Sequence, residues 1–493
     1  MVSAWNYDDL FRPRKTVALN QVKLNEALLT QPLPRQTRQS IFPDVPRVEN
    51  VPYSAISLLR QAHPRPVPLD VTQVADCRAS LNVPALVDAF SDPSKAAELV
   101  AAVQAEPFNP HLLRDFSCFL QSLVISHAPK GVGAPTAVIG KGVNGVVMRG
   151  IFPDPMTPVF FPLDRPPAFI VKTSIDKKND EDVFNELFTG MYINSLRAHI
   201  AQFMYVYGGY RCAPAVVQGS EVTPCAGRGE VHYSMLESIT ATAPDAEGFY
   251  LGEVQTMADW VQERAHEPVA VGVVRVINVL CQVFLALAVA QVKLKGFSHD
   301  DLHLKNILIR RMSAARTFAF PIGAKTVYQV SEWLVTIIDY GRVCTNIEVN
   351  TTEGKVVRET GALIPRIGTV PGRPCTLNDI GRVLTNALDI LRYSKCPWTG
   401  QVLGFVMPLL SEPVTKEKIQ HFSDVLLAPW IEAHGVAPFN IDIRVSEYLD
   451  AVGKIFVPAA TGMYDTPTDL PPLFSCGKTC DPEVLTTLAQ RQP

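Results

Sequence analysis

The spacing of apolar residues changes along this chain, from the alternation that strands need to the longer period of helices. Before about Gly252, strand-like runs lie at 137–139, 146–148, 168–171 and 231–235, with one predicted helix from 180 to about 199. After Gly252 the pattern is mainly helical, interrupted by short strands around 306–310 and 333–338. We therefore predict an α+β fold in which a strand-rich part precedes a helix-rich part.

The bulk composition is that of a globular protein. Hydrophobic residues make up 47% of the chain and charged residues 19%, as in globular proteins. Its length of 493 residues is too great for a single ordinary core, so two or three structural units are expected. A formal net charge of −3 gives no reason to expect nucleic acid or a membrane surface as a partner. Ten cysteines without paired spacing favour free thiols, which predicts an intracellular location in a reducing compartment, cytoplasm or nucleus.

The most apolar long run, 271–292, is long enough to cross a membrane. Four polar residues interrupt it: Arg275, Asn278, Gln282 and Gln291. We therefore predict a buried helix and no membrane span. The amino terminus has no basic segment followed by an apolar one, so no secretory signal is expected.

The segment from Phe297 to Ile309 places Asp301 five positions before Asn306, with His299 upstream and apolar strand formers downstream. This layout is typical of a phosphoryl-transfer loop, in which the aspartate orients a hydroxyl and the asparagine binds a metal ion. His299 is expected to have a structural role near the loop. The alternative is a polar turn before a strand.

A glycine-rich segment precedes that loop, with the sequence Gly140-Lys-Gly142-Val-Asn-Gly145-Val-Val147. Glycines at this spacing allow backbone N–H groups to approach phosphate oxygens. A dinucleotide-binding motif would need a helix directly after the glycines. A strand comes there instead, which favours a hairpin over a nucleotide; the alternative is a glycine-rich hairpin without a ligand.

Lys172 ends an apolar strand, where its amine can meet phosphate charge. Burying that amine unpaired would cost several kcal/mol, so a carboxylate partner is expected. Glu186 on the next helix is the first candidate and Glu181 the second. The alternative is a solvated lysine at a strand end.

Asp339 emerges from an apolar strand into Tyr340-Gly341. An acid at this position is suited to binding Mg²⁺ on the β- and γ-phosphates of a nucleotide. A lone Asp-x-Gly is otherwise a common turn. The order of the four elements favours the first interpretation for all of them.

Together these elements resemble the eukaryotic-type protein kinase superfamily, over about 137–459. The resemblance implies a bilobal fold with a small antiparallel-sheet N-lobe, a helical C-lobe and ATP in the cleft. It implies catalytic roles for Lys172, Asp301 and Asn306, and Mg²⁺ ligation by Asn306 and Asp339. It also implies that ATP contacts a set of residues around the glycine-rich loop and the hinge: Gly140, Gly142, Gly145, Val147, Lys172, Glu186 and Glu237.

On this basis the chain divides into five parts. We predict an extended or disordered arm at 1–68, a helical N-terminal extension at 69–132 that packs on the segment after it, an N-lobe at 133–240, a C-lobe at 241–460 and a tail at 461–493. An insertion is expected at 311–330. Asp379 is expected to tie its helix to the catalytic loop.

The departures from the family concern the phosphate acceptor. Asp300 stands where many protein kinases have an arginine that reads an activation-loop phosphate, and His303 stands where serine/threonine kinases usually have lysine. The chain looks similar to divergent kinases of large DNA viruses. The predicted function is an ATP- and Mg²⁺-dependent protein kinase, most simply for serine or threonine. The alternatives are a small-molecule phosphotransferase of the aminoglycoside or choline type and a pseudokinase scaffold.

Overall fold

The structure is a computed structural model of the whole chain. The residues that it describes are 67–68, 103, 113, 116–117, 134–141, 145–151, 169–175, 180–218, 221–239, 250–294, 296–351, 354–360, 376–405, 408 and 445–470.

The described elements follow the predicted order, with strands dominating first and helices later. Up to residue 256 they are β1 Val67–Pro68, β2 Ala134–Lys141, β3 Gly145–Ile151, β4 Phe169–Ser174, α1 Asp180–Ile193, β5 Val206–Cys212, β6 Val216–Gln218, β7 Glu221–Thr223, β8 Val231–Glu237 and β9 Tyr250–Thr256. Beyond it they are α2 Met257–Arg264, α3 Val269–Lys293, β10 Ile307–Ile322, β11 Lys325–Ile337, β12 Thr345–Thr351, β13 Gly354–Thr360, α4 Thr376–Tyr393, α5 Thr399–Leu403, α6 Val445–Ile455, α7 Pro458–Thr461 and β14 Met463–Tyr464. The prediction of a mixed fold built on antiparallel sheet is confirmed.

The described residues form two compact units. The strand-rich unit holds those up to 254, those from 308 to 341 and those from 462 onward. The helix-rich unit holds 255–307 and the described residues between 342 and 461.

A six-stranded sheet in the order β1–β5–β8–β4–β3–β2 is the centre of the strand-rich unit, and each neighbouring pair is antiparallel. Strand alternation divides β4 between two faces. Phe169 and Val171 face an apolar cluster that includes Leu113 and Phe116. Lys172 therefore points to the opposite face, where α1 packs.

The N-terminal predictions fall mostly outside the described residues. Within the predicted arm, Val67 and Pro68 pair with Arg211 and Tyr210 as the edge strand of the six-stranded sheet. Within the predicted helical extension, four residues are described, and all are helical: Val103, Leu113, Phe116 and Ser117. The Ser117 hydroxyl donates to the Tyr207 carbonyl at 2.6 Å, so this helical segment is bonded to β5.

A four-stranded sheet, β14–β11–β10–β9, completes the strand-rich unit. Its centre is the long hairpin β10–β11, which occupies the place of the insertion expected at 311–330. Gly323 lies at the turn with φ +64°, a conformation that favours glycine. Of the predicted tail, Met463 and Tyr464 pair with β11 and the residues beyond 470 are outside the described ones.

Helix α3 is the core of the helix-rich unit. It is long and apolar enough to cross a membrane, and 78% of its most apolar 18-residue window is buried inside the protein. Phe284 contacts the rings of Phe405 and Tyr448, and Gly272 lies against Trp398. These contacts account for its apolar character as packing within the protein, as predicted.

The expectation of free thiols was wrong for one pair of cysteines. Cys212 and Cys225, 13 residues apart, form a disulfide. They meet because β6 and β7 form a hairpin that returns the chain to the end of β5. Among the described cysteines, Cys281 and Cys396 are free thiols.

Candidate active site

Lys172 lies between two carboxylates in the strand-rich unit. Its Nζ is 2.9 Å from Glu186 Oε2 and 2.7 Å from Asp339 Oδ1. The side chain of Lys172 is 20% exposed, that of Glu186 1% and that of Asp339 39%. The lysine thus has the carboxylate partner that its burial requires, and one of its two partners is accessible to solvent.

Helix α1 is held against the sheet and the Asp339 turn at several points. Asn185 Nδ2 donates to the Gly341 carbonyl at 3.0 Å, one residue before Glu186. At the start of the helix, Asp180 Oδ1 accepts the His232 N–H at 2.6 Å, and its Oδ2 lies 2.6 Å from His232 Nδ1. These contacts fix how far along its axis α1 lies and which of its faces is turned to the sheet, and so place Glu186 next to Lys172.

The turn after β11 positions Asp339. Its φ of +66° lies in the left-handed region, which aspartate tolerates better than most residues. Tyr340 is fully buried, and its hydroxyl lies 2.8 Å from the Met204 carbonyl and 3.0 Å from that of Ile337. The turn is therefore anchored by a buried tyrosine, and its aspartate side chain points to Lys172.

The electrostatics of this cluster follow from one cation facing two acids. Burial lowers the pKa of Lys172, but Asp339 and Glu186 outweigh it, so the pKa lies above its ordinary value. Burial raises the pKa of Glu186 to about 7, and the Lys172 charge opposes that rise while Asp339 adds to it. A single ammonium cannot neutralise both carboxylates, so the cluster favours an added cation when both are ionised.

The two described glycines of the glycine-rich segment are there for different reasons. A Cβ on Gly145 would lie 2.5 Å from the Thr173 carbonyl oxygen, so close strand packing requires glycine there. A Cβ on Gly140 would meet only Val147, at an ordinary 3.9 Å. Val147 is opposite Lys172 in the β3–β4 register, on the same face of the sheet. Gly142 lies outside the described residues.

Glu237, at the end of β8, has its side chain engaged within the protein. Its Oε2 is 2.6 Å from Arg197 Nη1 and accepts the Tyr205 N–H at 2.9 Å. The Glu237 N–H donates to the Tyr205 carbonyl. Arg197 is almost fully buried and also donates to the Phe203 carbonyl at 2.8 Å. The side chain expected to contact a nucleotide thus pairs with a buried arginine, which the sequence pattern had not indicated.

The loop from 298 to 306 carries Asp301 and Asn306 in the helix-rich unit. Asn306 Nδ2 donates to the Asp301 carbonyl at 3.0 Å, which leaves the amide oxygen of Asn306 as its acceptor for a ligand. A short 3₁₀-helix, Leu304–Asn306, joins the loop to β10. The side chains of Leu302 and Leu304 are buried, so the loop is fixed from inside while Asp301 is 29% exposed.

Asp379 on α4 ties this loop to the helix core. Its fully buried carboxylate accepts the N–H groups of His299 at 2.6 Å and Asp300 at 2.9 Å, and the Ser298 hydroxyl lies at 3.3 Å. Burial and the neighbouring Asp300 raise the pKa of Asp379 to about 8, while the two N–H donors lower it. Asp379 therefore makes the connection that its place in the sequence predicted.

Arg382, one turn further along α4, is a functional candidate that the sequence patterns did not indicate. Its Nη1 donates to the Asp300 carbonyl at 2.8 Å and to Asp301 Oδ1 at 3.1 Å. The available signal was its position three residues after Asp379, which puts both side chains on one face of the helix.

The donor groups suit Mg²⁺ without forming a preassembled metal centre. Within the described ranges, no three His, Cys, Asp or Glu side chains are grouped as a metal site. Mg²⁺ is usually held by one or two protein oxygens together with substrate phosphates. The half-exposed Asp339 carboxylate of the strand-rich unit fits that chemistry, and the Asn306 amide oxygen of the helix-rich unit is by itself also a suitable donor.

No protein-family model matches the chain, and no curated protein matches it. Among solved structures, the chain is similar to the crystal structure of Rad53 1–466 in complex with AMP-PNP, at 20% identity and a TM-score of 0.25. The match covers 46% of this chain and 44% of the Rad53 chain.

Proposed function

We propose that this protein is an ATP- and Mg²⁺-dependent protein kinase that phosphorylates serine or threonine hydroxyls. The observation that carries the proposal is Lys172, held between a buried glutamate from α1 and the half-exposed Asp339. A lysine kept only for structure needs one carboxylate partner, and Glu186 already provides it. A second, solvent-accessible carboxylate at 2.7 Å suits a site that receives phosphate and metal together.

The strand-rich unit supplies the groups that hold the triphosphate. Lys172 neutralises phosphate charge, and Glu186 keeps the ammonium oriented. Gly140, whose Cβ position is open, allows close approach of backbone to phosphate oxygens. Asp339 in this unit, and Asn306 in the helix-rich unit, carry oxygens that would hold Mg²⁺, and a bound Mg²⁺ would supply positive charge to the phosphates.

The helix-rich unit supplies the group that handles the acceptor. Asp301 orients the acceptor hydroxyl and takes its proton as the oxygen–phosphorus bond forms and the bond from the γ-phosphorus to the bridging oxygen breaks. Asp379 and the buried leucines hold the loop so that this carboxylate needs little reorganisation. Charge neutralisation and positioning provide most of the rate in such reactions.

A phosphate-transfer assay with labelled ATP tests the proposal. The native chain is compared with Lys172→Met and Asp301→Ala, and with the controls Lys454→Met and Asp465→Ala, which alter exposed residues. Acceptors are a basic protein mixture and a panel of amino alcohols and aminoglycosides, with and without Mg²⁺.

We expect Mg²⁺-dependent labelling of serine or threonine in protein, about 100-fold or more weaker in Asp301→Ala and unchanged in the controls. Loss of ATP binding is expected in Lys172→Met. Labelling of a small molecule alone would replace the protein-kinase assignment with the small-molecule alternative. Nucleotide binding without transfer by the native chain would overturn the proposed catalysis.

A further inference from the structure

Two side chains of helix α4 form hydrogen bonds with the backbone of Asp300, one with its N–H and one with its carbonyl. Asp379 accepts the Asp300 N–H at 2.9 Å, and Arg382 Nη1 donates to the Asp300 carbonyl at 2.8 Å. Asp300 has a φ of +58°, in the left-handed region, which aspartate tolerates better than most residues but glycine favours. The two side chains stabilise this conformation from one face of one helix.

The same arginine nitrogen reaches the side chain of the proposed base. Arg382 Nη1 is 3.1 Å from Asp301 Oδ1, and both side chains are 29% exposed, so the pair is largely removed from solvent. A guanidinium stays charged across the working pH range and donates in a fixed plane. The contact therefore sets both the charge next to the Asp301 carboxylate and the orientation of that carboxylate.

His303 does not supply this cation. Its backbone N–H donates to the Asp301 carbonyl at 2.8 Å, and within the described ranges its ring makes no hydrogen bond or ion pair with Asp301. Serine/threonine kinases, which the sequence resembles, usually have a lysine at this place. In this chain Arg382 on α4, 81 residues further along, places a positive charge next to Asp301.

We infer that Arg382 is the positioning residue for Asp301, orienting the carboxylate that receives the acceptor proton and leaving nucleotide binding to other groups. The inference rests on the proposed function and deepens it. It requires that loss of Arg382 lower kcat, because the acceptor hydroxyl is misaligned, without raising KM for ATP. Misplacement of a reacting group by about 1 Å can reduce a rate about 100-fold.

The test is a double-mutant cycle on the full chain with Arg382→Met, Asp301→Ala and the double variant, measuring kcat, KM for ATP and the midpoint of thermal unfolding. Arg392→Met is the matched control, since Arg392 is on the same helix and lies over the exposed Tyr393 ring. Arg382→Lys keeps a positive charge and serves as the conservative variant, including for the case that Arg382→Met does not fold.

We expect Arg382→Met to lower kcat about 100-fold with KM for ATP unchanged, Arg382→Lys to recover part of that loss, and Arg392→Met to resemble the native chain. In the Asp301→Ala background, Arg382→Met should cause no further loss, because its effect passes through Asp301. An equal loss in both backgrounds, or no kcat difference between Lys and Met at position 382, would overturn the inference. If Asp301→Ala abolishes transfer while Arg382→Met retains the native kcat, the proposed function stands and the inference about Arg382 is wrong. If the native chain transfers no phosphate, both the proposed function and the inference are wrong.

Discussion

Replacing Asp379 with alanine should destabilise the helix-rich unit by several kcal/mol. The carboxylate is fully buried and accepts the N–H groups of His299 and Asp300 at 2.6 and 2.9 Å. A buried donor without a partner costs about 1–3 kcal/mol, so two of them give about 2–6 kcal/mol. That is a large part of the roughly 5–15 kcal/mol that stabilises a typical domain.

Asparagine at position 379 should cost less than alanine. Its amide oxygen can accept one of the two N–H groups, but its NH₂ group must face the other donor. The expected loss is therefore about 1–3 kcal/mol, the cost of one unsatisfied donor. The order of stability should be native, Asp379→Asn, then Asp379→Ala.

Urea unfolding followed by tryptophan fluorescence measures these differences, because Trp260 and Trp398 are fully buried in the same unit. Asn386→Ala, at a half-buried position on α4, is the control for general effects on the helix. If Asp379→Ala lies within about 0.5 kcal/mol of the native chain, as surface substitutions do, the two N–H bonds do not anchor the loop and the reasoning is refuted.

Two further predictions concern the strand-rich unit. The folded pKa of Glu186, about 7, lies above its ordinary 4.5, so this carboxyl contributes stability below pH 4.5 that is lost as pH rises through 7. Glu186→Gln should remove up to about 3 kcal/mol of that pH dependence of the unfolding free energy. If the difference in unfolding free energy between the native chain and the variant is equal at pH 5 and pH 8, the prediction is wrong. Gly145→Ala should lower the thermal unfolding midpoint, because the added Cβ would lie 2.5 Å from the backbone of β4. Gly140→Ala should fold like the native chain and raise KM for ATP, because its Cβ meets only Val147 at an ordinary distance. Equal stability of the two variants would show that strand packing is not what requires glycine at position 145.

Much of the strand-rich unit could be predicted because its signals are local. Alternation of apolar residues placed β3, β4 and β8, and the isolated lysine in β4 required a carboxylate that the next helix could offer. The structure places Glu186 against Lys172, and the neighbouring Asn185 donates to the Gly341 carbonyl. The ends of the hairpin β10–β11 were predicted as short strands and its middle as an insertion, since nothing in the composition showed that the two strands would continue as the centre of a second sheet.

The sequence alone determined the periodicities, the glycine positions and the spacing of Asp301 and Asn306, because each depends on residues a few positions apart. Only the tertiary structure decided three pairings: the ion pair of Arg197 with Glu237, the disulfide of Cys212 with Cys225, and the ion pair of Arg382 with Asp301. These contacts join segments whose approach depends on the whole chain path. A buried charge pairs with whatever opposite charge folding brings within reach, and no local pattern records which one that is.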